Sequence, residues 1–135
     1  TLTVFDVPEN QRSFNDAHQE LGLQFSKLDS AKSWADAQPR TGGWIQMDLG
    51  QNTVISGVIT MGRNATPQWV TRIKVETSVD GSSWDIVLND VPSNTDTTTQ
   101  VTNEFSQLVN ARYVRITVLE YFGHPSMRAA VIGYP

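Results

Sequence analysis

The stretch Trp44-Ile45-Gln46-Met47-Asp48-Leu49-Gly50 decides the fold, because apolar and polar residues alternate along it. Successive side chains of an extended chain point to opposite faces, so Ile45, Met47 and Leu49 share one face. Beyond Gly50, the β-branched run from Val54 to Met61 predicts another strand. Ile55, Ile59 and Met61 are expected on one face there, and Gly57 on that face leaves room for a neighbouring element. Further on, Val70 to Val79 predicts a third strand, with Ile73, Val75 and Val79 inward and Lys74, Glu76 and Ser78 outward. Asp80-Gly81 is the strongest turn signal of the chain, and Trp84, Ile86 and Leu88 begin the returning strand.

Asn89 to Gln100 carries Pro92 and four threonines and reads as a loop. Arg112 to Leu119 predicts a strand with Val114, Ile116 and Val118 inward, and a last strand runs from about Met127 to Tyr134. The first 42 residues show little alternation and hold two prolines. Long loops with short strands are expected there, with a brief helical turn near Asn15 to Leu21. Seven or eight short strands without βα alternation imply an all-β fold, a two-sheet sandwich or a closed barrel, as one domain over residues 1–135. Such a body leaves its binding chemistry to the loops at one end.

Composition narrows the function. Cysteine is absent, which removes disulfides, thiolate metal sites and thiol catalysis. There are 14 acidic side chains against 10 basic ones, a net charge of -4, and no basic run that could follow a phosphate backbone, so no nucleic-acid partner is expected. No apolar stretch approaches the roughly 18 residues that span a bilayer. No serine, histidine and acid follow one another with a nucleophile turn, and His18 and His124 have no ligand spacing between them. The expectation is a binding module and not an enzyme.

Several short motifs stand at compatible spacing: Trp44 to Gly50; Gly57-Val58-Ile59-Thr60-Met61-Gly62-Arg63; Gln68-Trp69-Val70-Thr71; and Lys74 through Ser78-Val79-Asp80-Gly81 to Trp84. They are followed by Asn94-Thr95-Asp96, Asn103-Glu104-Phe105, Ala111-Arg112-Tyr113-Val114-Arg115-Ile116, His124-Pro125-Ser126-Met127-Arg128 and Ile132-Gly133. Over about residues 29 to 134 the chain thereby resembles the discoidin domain family, also called the coagulation factor 5/8 type C domain. The resemblance implies a jelly-roll-like β-sandwich, within the galactose-binding-like sandwiches, whose loops at one end bind sugars, phospholipid head groups or proteins. Two departures stand out. The cysteine pair that joins the chain ends in many animal members is missing, and Ala129 and Ala130 stand where an acidic residue often follows the closing arginine.

The candidate ligand residues lie in the expected loops. Arg63, at a strand end, can donate paired hydrogen bonds to hydroxyls or anions, and is expected to be exposed. Asn64 follows it, opening the glycosylation acceptor triplet Asn64-Ala65-Thr66. Asp36 offers a carboxylate beside Trp34, an arrangement suited to galactose-like sugars, whose axial hydroxyl wants an acceptor and whose apolar face wants a ring. Asp36 reads equally as a turn cap, and Trp34 first as core. Tyr121, Phe122 and His124 share the loop before the last strand and offer stacking faces and a hydrogen-bonding imidazole. Leu21, Leu23 and Phe25 would form a membrane-inserting tip if exposed, but they read more simply as packing under a long loop. Trp69 and Trp84 are read as core or rim, and Asp48, Arg112, Arg115 and Arg128 as a framework of ion pairs and hydrogen bonds.

A structural Ca2+ would need oxygens from Asp29 and Asp96, with Asp36 or Asp90 in support. The function expected is lectin-like recognition of galactose or N-acetylgalactosamine, with glycans or glycoproteins as partners. The alternatives are a protein- or matrix-binding adhesion module and, behind it, a phospholipid-binding one. The setting expected is secreted or extracellular, with cytoplasmic storage as the alternative. The domain is expected to self-associate or to form part of a larger chain.

Overall fold

The alternation at Trp44 does build a strand, but a far longer one than the sequence suggests. In the computed structural model, which describes residues 1–135, the strands are β1 (Thr3–Phe5), β2 (Arg12–Phe14), β3 (Trp34–Ala35), β4 (Trp44–Met61), β5 (Trp69–Ser78), β6 (Asp85–Pro92), β7 (Val101–Phe122) and β8 (Ser126–Tyr134). One antiparallel ladder runs β1-β8-β4-β7-β5-β6, with β2 added on β4 and β3 on β8. The two long strands serve both layers. The first half of β4 pairs with β2 and with the second half of β7, which pairs on to β5. Their other halves pair with each other, and β4 also takes β8 and, beyond it, β1. Register breaks after Asp48 let the ladder bend over on itself.

The two layers close on a core of 16 buried residues, including Ile45, Met47, Ile55, Val58, Ile73, Val75, Ile116, Val118, Met127 and Val131. This is the all-β, jelly-roll-like sandwich expected from the sequence. Gly57 meets its neighbour as predicted: a Cβ there would press into the Asn103 carbonyl.

Some local expectations are corrected. A bulge at Ser56 slips the register between Ile55 and Gly57, so Ile55 and Val58 face the core while Ile59 and Met61 are buried on the opposite side beside Ala130 and Ile132. One extra residue in a period-two element moves every later side chain to the other face. Val79 is 57% exposed, because β5 ends at Ser78 and the Asp80 turn has begun. The Asp80 carboxylate accepts from the Ser82 and Ser83 amides at 2.8 and 2.9 Å, which fixes that turn. β6 extends to Pro92, which shortens the expected loop, and residues 101–111 join β7 rather than lying outside a strand. The short helical turn is 3-10 and spans Glu9–Gln11 instead of Asn15 to Leu21.

Arg128 anchors the loop end. It is buried on β8 and donates to the carbonyls of Gly62 (2.9 Å), Leu28 (3.1 Å) and Thr97 (2.7 Å), tying three loops to one strand. Desolvation lowers its guanidinium pKa, since no carboxylate answers it. Arg12 does the same for the N-terminal third: its buried guanidinium donates to Val7, Ser26 and Ala129 carbonyls and to Asp6.

Candidate functional site

Four segments converge at the end held by Arg128. Main-chain bonds stitch them together: His18 N–H to the Ala35 carbonyl (2.8 Å), Asp36 N–H to Pro125 (3.1 Å), Asn64 N–H to Lys32 (3.1 Å) and Arg63 N–H to Gln68 (2.9 Å). Gly123, at φ +76°, lies so close to the Pro67 carbonyl that a Cβ would stand 2.6 Å from it. Only glycine lets the loop with His124 settle onto the loop with Arg63.

Between these loops lies a cleft of about 110 Å³ walled by His18, Glu20, Arg63, Gln68 and His124 over Leu23 and Ala35. Arg63 is not the exposed residue the sequence suggests: its side chain is 15% exposed. Its Nη1 donates to Gln68 Oε1 at 3.0 Å and its Nη2 to Glu20 Oε2 at 3.3 Å, while Nε is buried without a partner. Glu20 also holds Lys32 Nζ at 3.0 Å, and that bond, with a smaller contribution from Arg63, keeps the Glu20 carboxyl below the usual range. His124 donates Nε2–H to the Asp36 carbonyl at 2.7 Å, and His18 accepts the Glu20 amide on Nδ1 at 3.1 Å. The two imidazoles stand edge to face, 6.5 Å between ring centres.

Asp36 is in the site but beneath it. The residue is wholly buried, and its carboxylate accepts from Arg40 at 3.1 and 3.2 Å, from the Gln38 amide at 3.1 Å and from Asn15 at 3.4 Å. It therefore positions its neighbours rather than meeting solvent. Trp34 is also wholly buried, stacked on Phe14 with Nε1 donating to the Asp16 carbonyl, and has no free face for a ligand. Asn64 is exposed at the rim, its amide on the Ala31 carbonyl at 3.2 Å. Tyr121 and Phe122 are the last residues of β7, paired with Val70 and Trp69, and not part of the loop expected to hold them with His124. Tyr121 packs against the core, and Phe122, 53% exposed, stacks on Trp69 at 4.7 Å.

The carboxylates proposed for calcium do not converge. Asp36 is bound to Arg40, Asp90 to Arg72 and Asp96 to Thr99, and no three acidic or histidine side chains, Asp29 included, group to hold a metal. Of the apolar trio, Leu23 is buried while Leu21 and Phe25 are 80% and 43% exposed. The framework reading holds for Asp48 with Arg112 (2.8 Å) and for Arg115, which lies between the Trp44 and Trp84 rings at 4.1 and 4.4 Å.

Sequence reasoning alone does not reach His18, Glu20 and Gln68, nor Trp69 as the ring on which the expected Phe122 stacks. His18 and Glu20 fall in the stretch without periodicity, where nothing local tells a cleft wall from a loop. Trp69 was absorbed into a framework motif, although its neighbour Gln68 points to the loop end.

A second hollow of about 260 Å³ adjoins the first, lined by His18, Gln19, Ala37 and Gln38.

Comparison with known proteins places this geometry in a family. The F5/8 type C domain model matches residues 12–131. SCO-spondin of Gallus gallus is 32% identical over 118 residues, covering 87% of this chain, which spans only 2% of that protein's length. The structure of wild-type discoidin II from Dictyostelium discoideum aligns with a TM-score of 0.83 at 21% identity, covering 92% of this chain and 54% of that one. CpGH89CBM32-5 from Clostridium perfringens, solved in complex with GalNAc-β-1,3-galactose, aligns with a TM-score of 0.77 at 16% identity over 97% of this chain and 99% of that one.

Proposed function

Because the chain belongs to the F5/8 type C domain family, we propose that it is a carbohydrate-binding module without catalytic activity, taking galactose or N-acetylgalactosamine in the cleft beside Arg63. The observation that carries this reading is the supply of hydrogen-bonding groups there. Arg63 has five N–H bonds; one on each Nη is engaged and Nε is buried, which leaves two Nη hydrogens for a ligand. His124, donating through Nε2, keeps Nδ1 as an acceptor, and His18, accepting on Nδ1, keeps Nε2–H as a donor. Donors and acceptors interleaved in this way suit hydroxyl groups, which do both. The Trp69–Phe122 stack joins the strand ends that flank the same two loops, the first residue of β5 and the last of β7, and offers an apolar plane to a sugar face.

A similar fold holding GalNAc-β-1,3-galactose supports this choice of ligand. Asp36 then acts by holding the cleft's walls and not by touching the sugar. Single-site affinity is weak, because a few contacts must offset ordering and water displacement. Useful binding then comes from several copies or from a larger chain, and the setting is extracellular glycans or glycoproteins. The test is a glycan array probed with a tetramerised domain: galactose- or N-acetylgalactosamine-terminated glycans should bind, and a blank array overturns the reading.

One observation favours a second reading. Leu21 and Phe25 are exposed at this same end, an apolar rim that a protein partner in an adhesion module would cover. Binding to a purified protein that survives enzymatic removal of its glycans would establish that alternative.

A further inference from the structure

The cleft beside Arg63 does not stop at His18. His18 lines both the cleft of about 110 Å³ and the hollow of about 260 Å³. Neither by itself reaches the roughly 300 Å³ at which small-molecule sites begin, whereas the two joined do. We propose that they form one groove for at least two linked sugar residues, the second seated over Gln19, Ala37 and Gln38. The inference rests on the carbohydrate reading above and adds the length of the ligand and the place of its second unit.

The lining of the second hollow sets the chemistry. Gln19 and Gln38 are exposed carboxamides, each with two N–H donors and a carbonyl acceptor, and Ala37 adds a methyl group. No guanidinium, ammonium or carboxylate lines it, so a phosphate or sulfate would find no counter-charge there. A neutral ring bearing hydroxyls finds both donors and acceptors. The charged groups, Arg63 and Glu20, are confined to the first hollow.

The spacing of the two seats is fixed by one buried residue. Asp36 accepts His124 Nε2–H on its main-chain carbonyl at 2.7 Å in the first hollow, and the Gln38 amide on its carboxylate at 3.1 Å in the second. Arg40 clamps that carboxylate with two further bonds, and the Ala35 carbonyl holds the His18 amide at 2.8 Å between the seats. The two hollows are thus built in register before any ligand arrives, which lowers the ordering cost of a longer one.

The experiment titrates the domain with galactose and N-acetylgalactosamine, free and within β-1,3- and β-1,4-linked disaccharides. It compares wild type with Gln38→Ala and Gln19→Ala, both exposed positions at which folding is checked by thermal melting. The readout is the ratio of disaccharide to monosaccharide affinity, expected at about tenfold or more in wild type and under about threefold in the variants. The side-chain amide NMR signals of Gln19 and Gln38 should shift with a disaccharide and not with a monosaccharide. Monosaccharide binding with no disaccharide gain overturns the second seat and leaves the carbohydrate reading standing. A gain that survives both substitutions also overturns it, because the second ring then lies elsewhere. Binding to no sugar in the panel overturns the carbohydrate reading and the second seat together.

Discussion

Arg63 combines the proposed binding role with a structural one, and the two should separate on substitution. Its guanidinium is mostly covered, so Arg63→Ala should cost about 1 kcal/mol of stability rather than the few tenths typical of an exposed residue. Glu20 keeps Lys32 and Gln68 keeps the Ser126 hydroxyl, so no partner is stranded. Sugar affinity should fall further, by about 1.5–3 kcal/mol, as a charged donor to the ligand disappears. Paired melting and titration of the variant check this; intact binding in a folded protein would remove Arg63 from the site. Asp36→Ala should behave in the opposite proportion. It frees Arg40, which is 45% exposed and can be resolvated, but leaves the Gln38 amide without its carboxylate, costing about 1–3 kcal/mol of stability. Binding should weaken too, through displaced walls, which NMR shifts at His124 and Gln38 in the ligand-free variant would reveal.

Among the elements, β4 and β8 set where the site can be. The Ser56 bulge turns the second half of β4 so that it delivers Gly62 and Arg63 to the loop end, under Arg128. Gly57 makes that turn feasible against β7, and Gly57→Ala should destabilise by about 1–3 kcal/mol because backbone, not a flexible side chain, blocks the added methyl. Arg128→Ala should cost more, about 3–5 kcal/mol, by the mechanism of a broken buried polar network: it strands three carbonyls at once. Chemical denaturation measures both. An Arg128→Ala protein as stable as wild type would show that the loops hold themselves together without it.

For the molecule as a whole, acid is the informative stress. Asp48 is held below the usual carboxylate range chiefly by its hydrogen bond to Arg112, Asp80 by the Ser83 and Ser82 amides, Asp96 by Thr99 and Glu20 by Lys32. Each folded pKa lies below its unfolded value, so the stability these groups add is complete above the unfolded values near 4 and is lost as pH falls through the folded ones. The melting temperature should stay level from neutral pH to about 5 and drop below about 4, and Asp48→Asn should flatten that drop. Association is a second property at this scale: if each domain carries the one weak sugar site proposed above, we expect self-association, which light scattering at micromolar protein checks. A strictly monomeric result would assign the valency to attachment within a larger chain.

The sequence by itself determined the fold class, the core-facing residues of the main strands and the end at which the candidate site lies. Period-two alternation at Ile45, Met47, Ile73, Val75, Val114 and Ile116 is a local consequence of burying one face of a strand, so it is written in the order of the residues. The motif spacing that resembles the family placed Arg63 and His124 at the loop end for the same reason, since strand lengths between turns fix which connections emerge together. Only the tertiary structure decided the rest. The bulge at Ser56 is a one-residue slip that depends on the partner strand and reversed the face expected of Ile59 and Met61. Asp36 and Trp34 went under the candidate cleft, and His18, Glu20 and Gln68 into its walls, through hydrogen bonds between segments far apart in the chain: His18 with Ala35, Glu20 with Arg63, Gln68 with Ser126, and Asp36 with Pro125 and His124. Loop residues have no periodicity to read; whether such a side chain walls a cleft or braces it is set by what folds against it, and no local pattern encodes that.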